Sequence, residues 1–158
     1  MSAVDYFLKI DGIEGEAQDK THKNEIQLHS WSWGETNSGS MGAGGGGGSG
    51  KVAMQDFHFV MSANKATPKL VVACATGEHI KSAILTCRKA GKTQQEFLKY
   101  TFTDILISSY QTSGSDSPME QCSFNFTEMQ CDYKEQGADG NLKGAITTKY
   151  NLKTQSSA

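Results

Sequence analysis

The residues that first suggest chemistry are a run of glycines followed by a lysine. Gly44, Gly45, Gly46, Gly47 and Gly48 are consecutive, and Gly45-x-x-x-x-Gly50-Lys51 has the spacing that opens a phosphate-binding loop. In such a loop, backbone N–H groups cradle phosphates, the lysine reaches them, and a Ser or Thr next in line holds Mg²⁺. Here the next residue is Val52. The loop must also run into a helix whose N-terminus faces the anion. Instead, Ala53, Gln55, Phe57 and Phe59 alternate with Val52, Met54, Asp56 and His58, a period-two pattern that predicts a strand. An unbroken glycine run carries high chain entropy and defines no fixed nest. The motif reads as a long loop, not as a nucleotide site.

The other chemistry-bearing residues do not converge. His22, His29, His58 and His79 fall in different segments without the spacing of metal ligands. Cys74, Cys87, Cys122 and Cys131 never approach CxxC spacing and read as free, small apolar side chains. No serine occupies a G-x-S-x-G elbow. The expectation is a chain with no catalytic residues, no metal and no cofactor.

Composition narrows the partners. The 158 residues carry 15 Lys and Arg against 17 Asp and Glu, a net charge of −2 with the bases scattered, which argues against nucleic-acid binding. No apolar stretch is long enough for membrane insertion. Residues 1–12 bring in Asp5 early and lack the basic-then-apolar order of a secretory signal. The expectation is a cytoplasmic chain that leaves the cell, if it does, by a route that reads folded structure. One domain spanning 1–158 is expected.

Most segments read as strands: 4–10, 26–34, 52–61, 82–89, 97–112, 121–134 and 145–153. One short helix is expected at about 67–77, with Thr67 as N-cap, Pro68 in the first turn and Gly77 as C-cap. Three strands shift phase by one position: Ile26 and Leu28 give way to Trp31 and Trp33. In the same way Leu98, Tyr100 and Phe102 give way to Ile105 and Ile107, and Phe124 and Phe126 to Met129, Cys131 and Tyr133. Such shifts arise where strands bend round the corners of a closed barrel, or where a neighbour buries the second phase. Both fit a β-barrel that assembles with its own copies. The loop over about 36–50 is too long to lack a job, and with few side chains it suits close approach to another subunit. In Trp31-Ser32-Trp33 the indoles share the core face, and Ser32 points to the other side.

The stretches DYFLKIDGIEGEAQDKTHKNEIQLHSWSWG, SGSMGAGGGGGSGKVAMQDFHF, TPKLVVACATG and CRKAG together resemble the Hcp (haemolysin-coregulated protein) family of bacterial type VI secretion. The resemblance runs through nearly the whole chain and thins after about Gln136. It implies a compact, mainly β barrel of two antiparallel sheets with one short helix. It implies subunits that form a homohexameric ring, and rings that stack into a tube. A contractile sheath would drive the tube, a spike protein would cap it, and small secreted effectors would ride in the lumen. The resemblance places Ser32 at the lumen. The arm that includes Ser40, Met41, Gly44 to Gly48 and Gly50 is assigned to ring-to-ring contact, and the second-phase apolar residues to the seam within a ring.

Overall fold

The computed structural model describes residues 3–39, 51–90 and 94–157. Its elements are β1 (Val4–Ile10), β2 (Ile26–Leu28), β3 (Ser30–Ser32), β4 (Glu35–Asn37), β5 (Val52–Met54), β6 (Phe57–Ser62), α1 (Thr67–Thr76), β7 (His79–Lys89), β8 (Gln95–Gly114), β9 (Pro118–Gln136), β10 (Leu142–Asn151) and β11 (Ser156–Ser157). All pairings are antiparallel.

The hairpin of β8 and β9 is the spine, its ladder running from Leu98–Tyr133 to Gly114–Pro118. The far edge of β9 is shared. Its first half pairs with β6, from Met119 to Phe124, and its second half with β10. The far edge of β8 takes β7, then β1, then β2. Only His29 separates β2 from β3; its N–H donates to Val60 O at 2.8 Å, and β3 pairs with β6. The ladder therefore returns to its start through β1, β2/β3, β6, β9, β8 and β7. A separate sheet, β4 with β5, stands outside this circuit.

Inward-facing residues alternate along β2 and β6, and the interior is filled with phenyl rings. Phe57, Phe59, Phe102 and Phe124 are fully buried, as are Leu8, Ile26, Leu85 and Ile105. Phe57 stacks on Phe124 at 4.9 Å between centroids, and Phe102 meets Phe124 edge-on at 5.2 Å. Each such burial stabilises the fold by about 2 kcal/mol before entropy is subtracted.

The phase shifts are corners. Phe102 and Ile105 lie three positions apart, which on a flat strand would put them on opposite faces, yet both are fully buried. Between them Asp104 adopts φ 55°, and opposite it Thr127 donates its hydroxyl to Thr103 O at 3.1 Å. On β9 the same bend lets Phe126 and Met129 both face inward. Ile105, Ile107 and Met129 belong to the subunit's own core, so of the second-phase residues on β8 and β9 only Tyr133 is left largely in solvent, at 46% exposure.

Three local expectations are corrected. The stretch 52–61 is two strands, broken where Gln55 donates its N–H to Gly34 O and Asp56 accepts from Ser108 Oγ. The loop is shorter than expected because residues 35–37 pair with 52–54. Thr67 is the first residue of α1 and not its cap. Ala66 takes the cap position, because the Thr67 hydroxyl is committed to Glu120 inside the protein. The other end is as expected: Gly77 adopts φ 66° and its N–H donates to Ala73 O.

Candidate functional site

Ser32 stands on the outward face of the sheet built from β3, β6, β9 and β8. Its cross-strand neighbours continue in register: Ser32 opposite His58, His58 opposite Ser123, Ser123 opposite Ser109. The next row out is Ser30, Val60, Gln121 and Gln111, and a third holds Ser62, Met119 and Ser113. None of these is a carboxylate, lysine or arginine. Ser123 Oγ is held by Ser109 Oγ at 2.5 Å and Ser108 Oγ at 2.7 Å, and Ser108 Oγ is 2.5 Å from Asp56 Oδ2, so hydroxyls satisfy one another across the wall. On the other outward face the rows alternate charge, with Lys99 opposite Asp132 and Lys149 3.0 Å from Glu128.

The tryptophans flanking Ser32 point inward, as the alternation requires. Trp31 stacks parallel to Phe57 at 6.0 Å, and Trp33 meets Tyr100 edge-on at 5.6 Å. Their packing fixes the strand's rotation and so aims Ser32 outward. A wall of hydroxyls and amides can make many weak hydrogen bonds with a passing surface, and the carboxylate at its border, Asp56, is already bonded to Ser108 Oγ.

The second expected site, the arm, is visible at its base. β4 and β5 pair from Glu35–Met54 to Asn37–Val52, and beyond them Lys51 N–H donates to Ser38 Oγ at 3.2 Å. Gly39 N–H donates to Asn37 Oδ1 at 2.7 Å. Ser40, Met41, Gly44, Gly45, Gly46, Gly47, Gly48 and Gly50 lie outside the described residues. Lys51 leads into the strand β5 and not into a helix.

Sequence reasoning missed two polar clusters that hold the frame. Glu120 is fully buried and accepts hydroxyl hydrogen bonds from Thr67 on α1 and Tyr110 on β8. Burial, followed by the adjoining carboxylate, pushes the Tyr110 phenol up to about 12. The signal was a glutamate in phase with Cys122 and Phe124, a core position that demands hydrogen-bond partners. In the other cluster, Arg88 is buried and forks onto Asp19 with two 2.8 Å bonds, while its other face covers the Phe7 ring. His22 stacks on Phe7 at 4.6 Å and reaches Glu25 and Glu96 through its two ring nitrogens. The carboxylates involved are spread over 5–25 and 96, so no local motif announces them.

The thiols of Cys87 and Cys122 are pushed up to about 12 by burial, which removes the thiolate a nucleophile needs. All four cysteines are free. Among the described residues no three His, Cys, Asp or Glu side chains are grouped to hold a metal ion, and no helix is long and apolar enough to cross a membrane.

The sequence and the fold are matched in known proteins. The sequence profile described as Type VI secretion system effector, Hcp, matches residues 7–133. The chain belongs to the Hcp family. It is 52% identical over 146 residues to protein hcp1 of Pseudomonas aeruginosa, covering 90% of each chain. The fold superposes on Hcp1 from Salmonella typhimurium with a TM-score of 0.82 at 35% identity, covering 99% of this chain and 100% of that one. It superposes on a further type six secretion system protein with a TM-score of 0.92 at 30% identity, with the same coverage. The profile ends at residue 133, whereas the two superpositions, covering 99% of the chain, continue past Gln136.

Proposed function

We propose that this chain is a structural subunit of the type VI secretion inner tube. Copies close into hexameric rings, rings stack into a tube, and the tube leaves the cell inside a contractile sheath and behind a spike protein. Small effectors travel non-covalently in the lumen. The subunit carries out no reaction of its own; Hcp proteins are tube components, and the polar clusters here brace the frame.

The observation that carries this reading is the wall of hydroxyls and amides around Ser32, with Asp56 as the carboxylate at its border, on a barrel whose other outward face is densely charged. A conduit must pass cargo of varied sequence without trapping it, and neutral hydroxyl and amide groups do that where fixed charges do not. We assign Ser32 to the lumen and the arm of 36–50 to contact between stacked rings. The filled interior argues against a second reading, a ligand-binding barrel that works alone, because Phe57, Phe59, Phe102 and Phe124 occupy the space a ligand needs.

The test is the mass of the purified protein by light scattering, with negative-stain images of the same sample. Six-lobed annuli of matching mass are expected. A lone 17.1 kDa particle at all concentrations overturns the proposal.

A further inference from the structure

Two surfaces of the subunit are apolar and uncovered. On α1, Leu70 and Ala73 face the barrel, yet Val71 and Val72 on the far side are 41% and 57% exposed. A helix that is apolar on both faces is ordinarily covered on both. On the β9–β10 ladder, Tyr133 and Ile146 are directly opposite one another and 46% and 67% exposed. These four are the exposed large hydrophobics among the described residues. In register with them, β10 shows a free edge from Leu142 to Lys149, since β11 pairs only with Tyr150 and Asn151.

We propose that these two surfaces are the two halves of one seam: Val71 and Val72 of one copy seat on Tyr133 and Ile146 of the next copy in the ring. The proposal rests on the ring reading above and names the surfaces that would make the ring.

Geometry supports the pairing. Thr67, at the head of α1, bonds Glu120, which lies opposite Thr112, whereas Tyr133 lies opposite Leu98. All four side chains are exposed within one copy, so the two surfaces do not cover each other there. A closed ring needs this arrangement, with two different patches on each copy and each patch meeting the other kind. Stacking would use other faces.

Charge supports it as well. The turn beside the start of α1 carries Asp11, Glu14 and Glu16 with no base between them. It is tied to the helix region by Lys65 N–H donating to Glu16 Oε2 at 2.9 Å and Lys69 Nζ donating to Gly12 O at 3.2 Å. Residues 142–153, which include β10, carry Lys143, Lys149 and Lys153 and no carboxylate. Surface pairs within the copy, such as Lys65–Glu14 at 3.2 Å and Lys143–Glu135 at 3.7 Å, are exposed and weak enough to be exchanged for partners across a seam. The facing strand β9 brings Glu128, Asp132 and Glu135 beside these lysines, and Lys65 and Lys69 stand beside the acidic turn, so both rims carry mixed charge that can be re-paired between copies.

Cross-linking tests the seam directly. Val72→Cys and Ile146→Cys are each made in a background where the half-buried Cys74 and Cys131 are replaced by Ala, then purified singly, mixed after ring dissociation, reassembled and oxidised. The expected result is a disulfide-linked dimer in the mixture only, and a ladder of higher species from the double variant. If wild-type protein forms rings but the mixture gives no dimer, the seam lies elsewhere and this inference is overturned while the ring reading stands. A dimer from Ile146→Cys alone also overturns it, because it means like surfaces meet. If wild-type protein forms no rings, the ring reading itself has failed. As a second measurement, Ile146→Glu is expected to keep its circular dichroism spectrum and lose the hexamer; rings of normal mass from this variant count against the seam.

Discussion

Arg88 and Asp19, 69 residues apart in the chain, are joined by two 2.8 Å hydrogen bonds that tie the loop before β2 to strand β7. The fork is bidentate, and Asp5 adds a longer contact at 3.4 Å. The Asp19 carboxylate also accepts the backbone N–H groups of Thr21 and His22. Bonding to the Arg88 guanidinium, opposed by desolvation and helped by these N–H groups, holds the Asp19 carboxyl well below the usual carboxylate range.

Asp19→Asn is therefore expected to cost on the order of 3 kcal/mol, because it leaves a buried guanidinium with only Asp5 to balance it. A carboxyl with a depressed folded-state pKa stabilises the fold above its unfolded value near pH 3.9, and this is lost as pH falls through the folded value. The gap between wild type and Asp19→Asn in urea unfolding should thus be full at neutral pH and narrow in acid. A gap that stays constant down to pH 2 means the ion pair is not its source.

Tyr110→Phe removes one hydroxyl from the buried Glu120 carboxylate and leaves Oε2 without that donor. A loss of about 1–3 kcal/mol is expected. Thr67 would still hold the other oxygen, so the variant should fold and α1 should stay docked. Chemical denaturation checks the magnitude, and amide exchange at Leu70 and Ala73 checks the docking. Unchanged stability would show that the carboxylate finds another donor.

Gly15 tolerates no side chain. A Cβ there would sit 2.6 Å from Glu25 O and 2.8 Å from Ile26 Cα, both backbone atoms that cannot swing aside. Gly15→Ala should destabilise by roughly 1–3 kcal/mol through overpacking and lower the melting temperature. A melting temperature equal to wild type would mean that the loop at 11–25 relaxes away from β2.

Ser32→Trp tests the lumen. A bulky side chain on the exposed wall is expected to reduce co-purification of effectors carried by the wild-type ring while annuli still form. Collapse of the annuli themselves would place Ser32 in packing between subunits and not in the passage.

Deleting Gly44 to Gly48 tests the arm. Rings of normal mass that stack poorly are the expected outcome, read by the length distribution of tubes in negative stain. Tubes of wild-type length would remove the arm from ring-to-ring contact.

How much of this was readable beforehand varied with how local the physics is. The strand segments, the helix ending at Gly77 and the one-residue phase shifts follow from periodicity and from glycine's access to positive φ. The structure resolved the ambiguity of the shifts, because whether Ile105 faces a neighbour or the barrel depends on the bend at Asp104, which periodicity does not encode. The β4–β5 ribbon was lost among polar residues, since Glu35, Thr36 and Asn37 have no apolar partner to mark a face. Arg88–Asp19 and Thr67–Glu120–Tyr110 were invisible for a plainer reason: their partners are far apart in sequence, and the fold alone brings them together. Of the site, the outward aim of Ser32 followed from Trp31 and Trp33, whereas its neutral surroundings became apparent only once the register of β6, β9 and β8 was known.

The crowding of phenyl rings inside the strand circuit also has a mechanical meaning. An interior packed with stacked and edge-on rings resists squeezing, as crystalline organic solids do. A shell built from such solid blocks passes a sudden axial shove straight from base to tip, with little of the stroke spent on denting the blocks themselves.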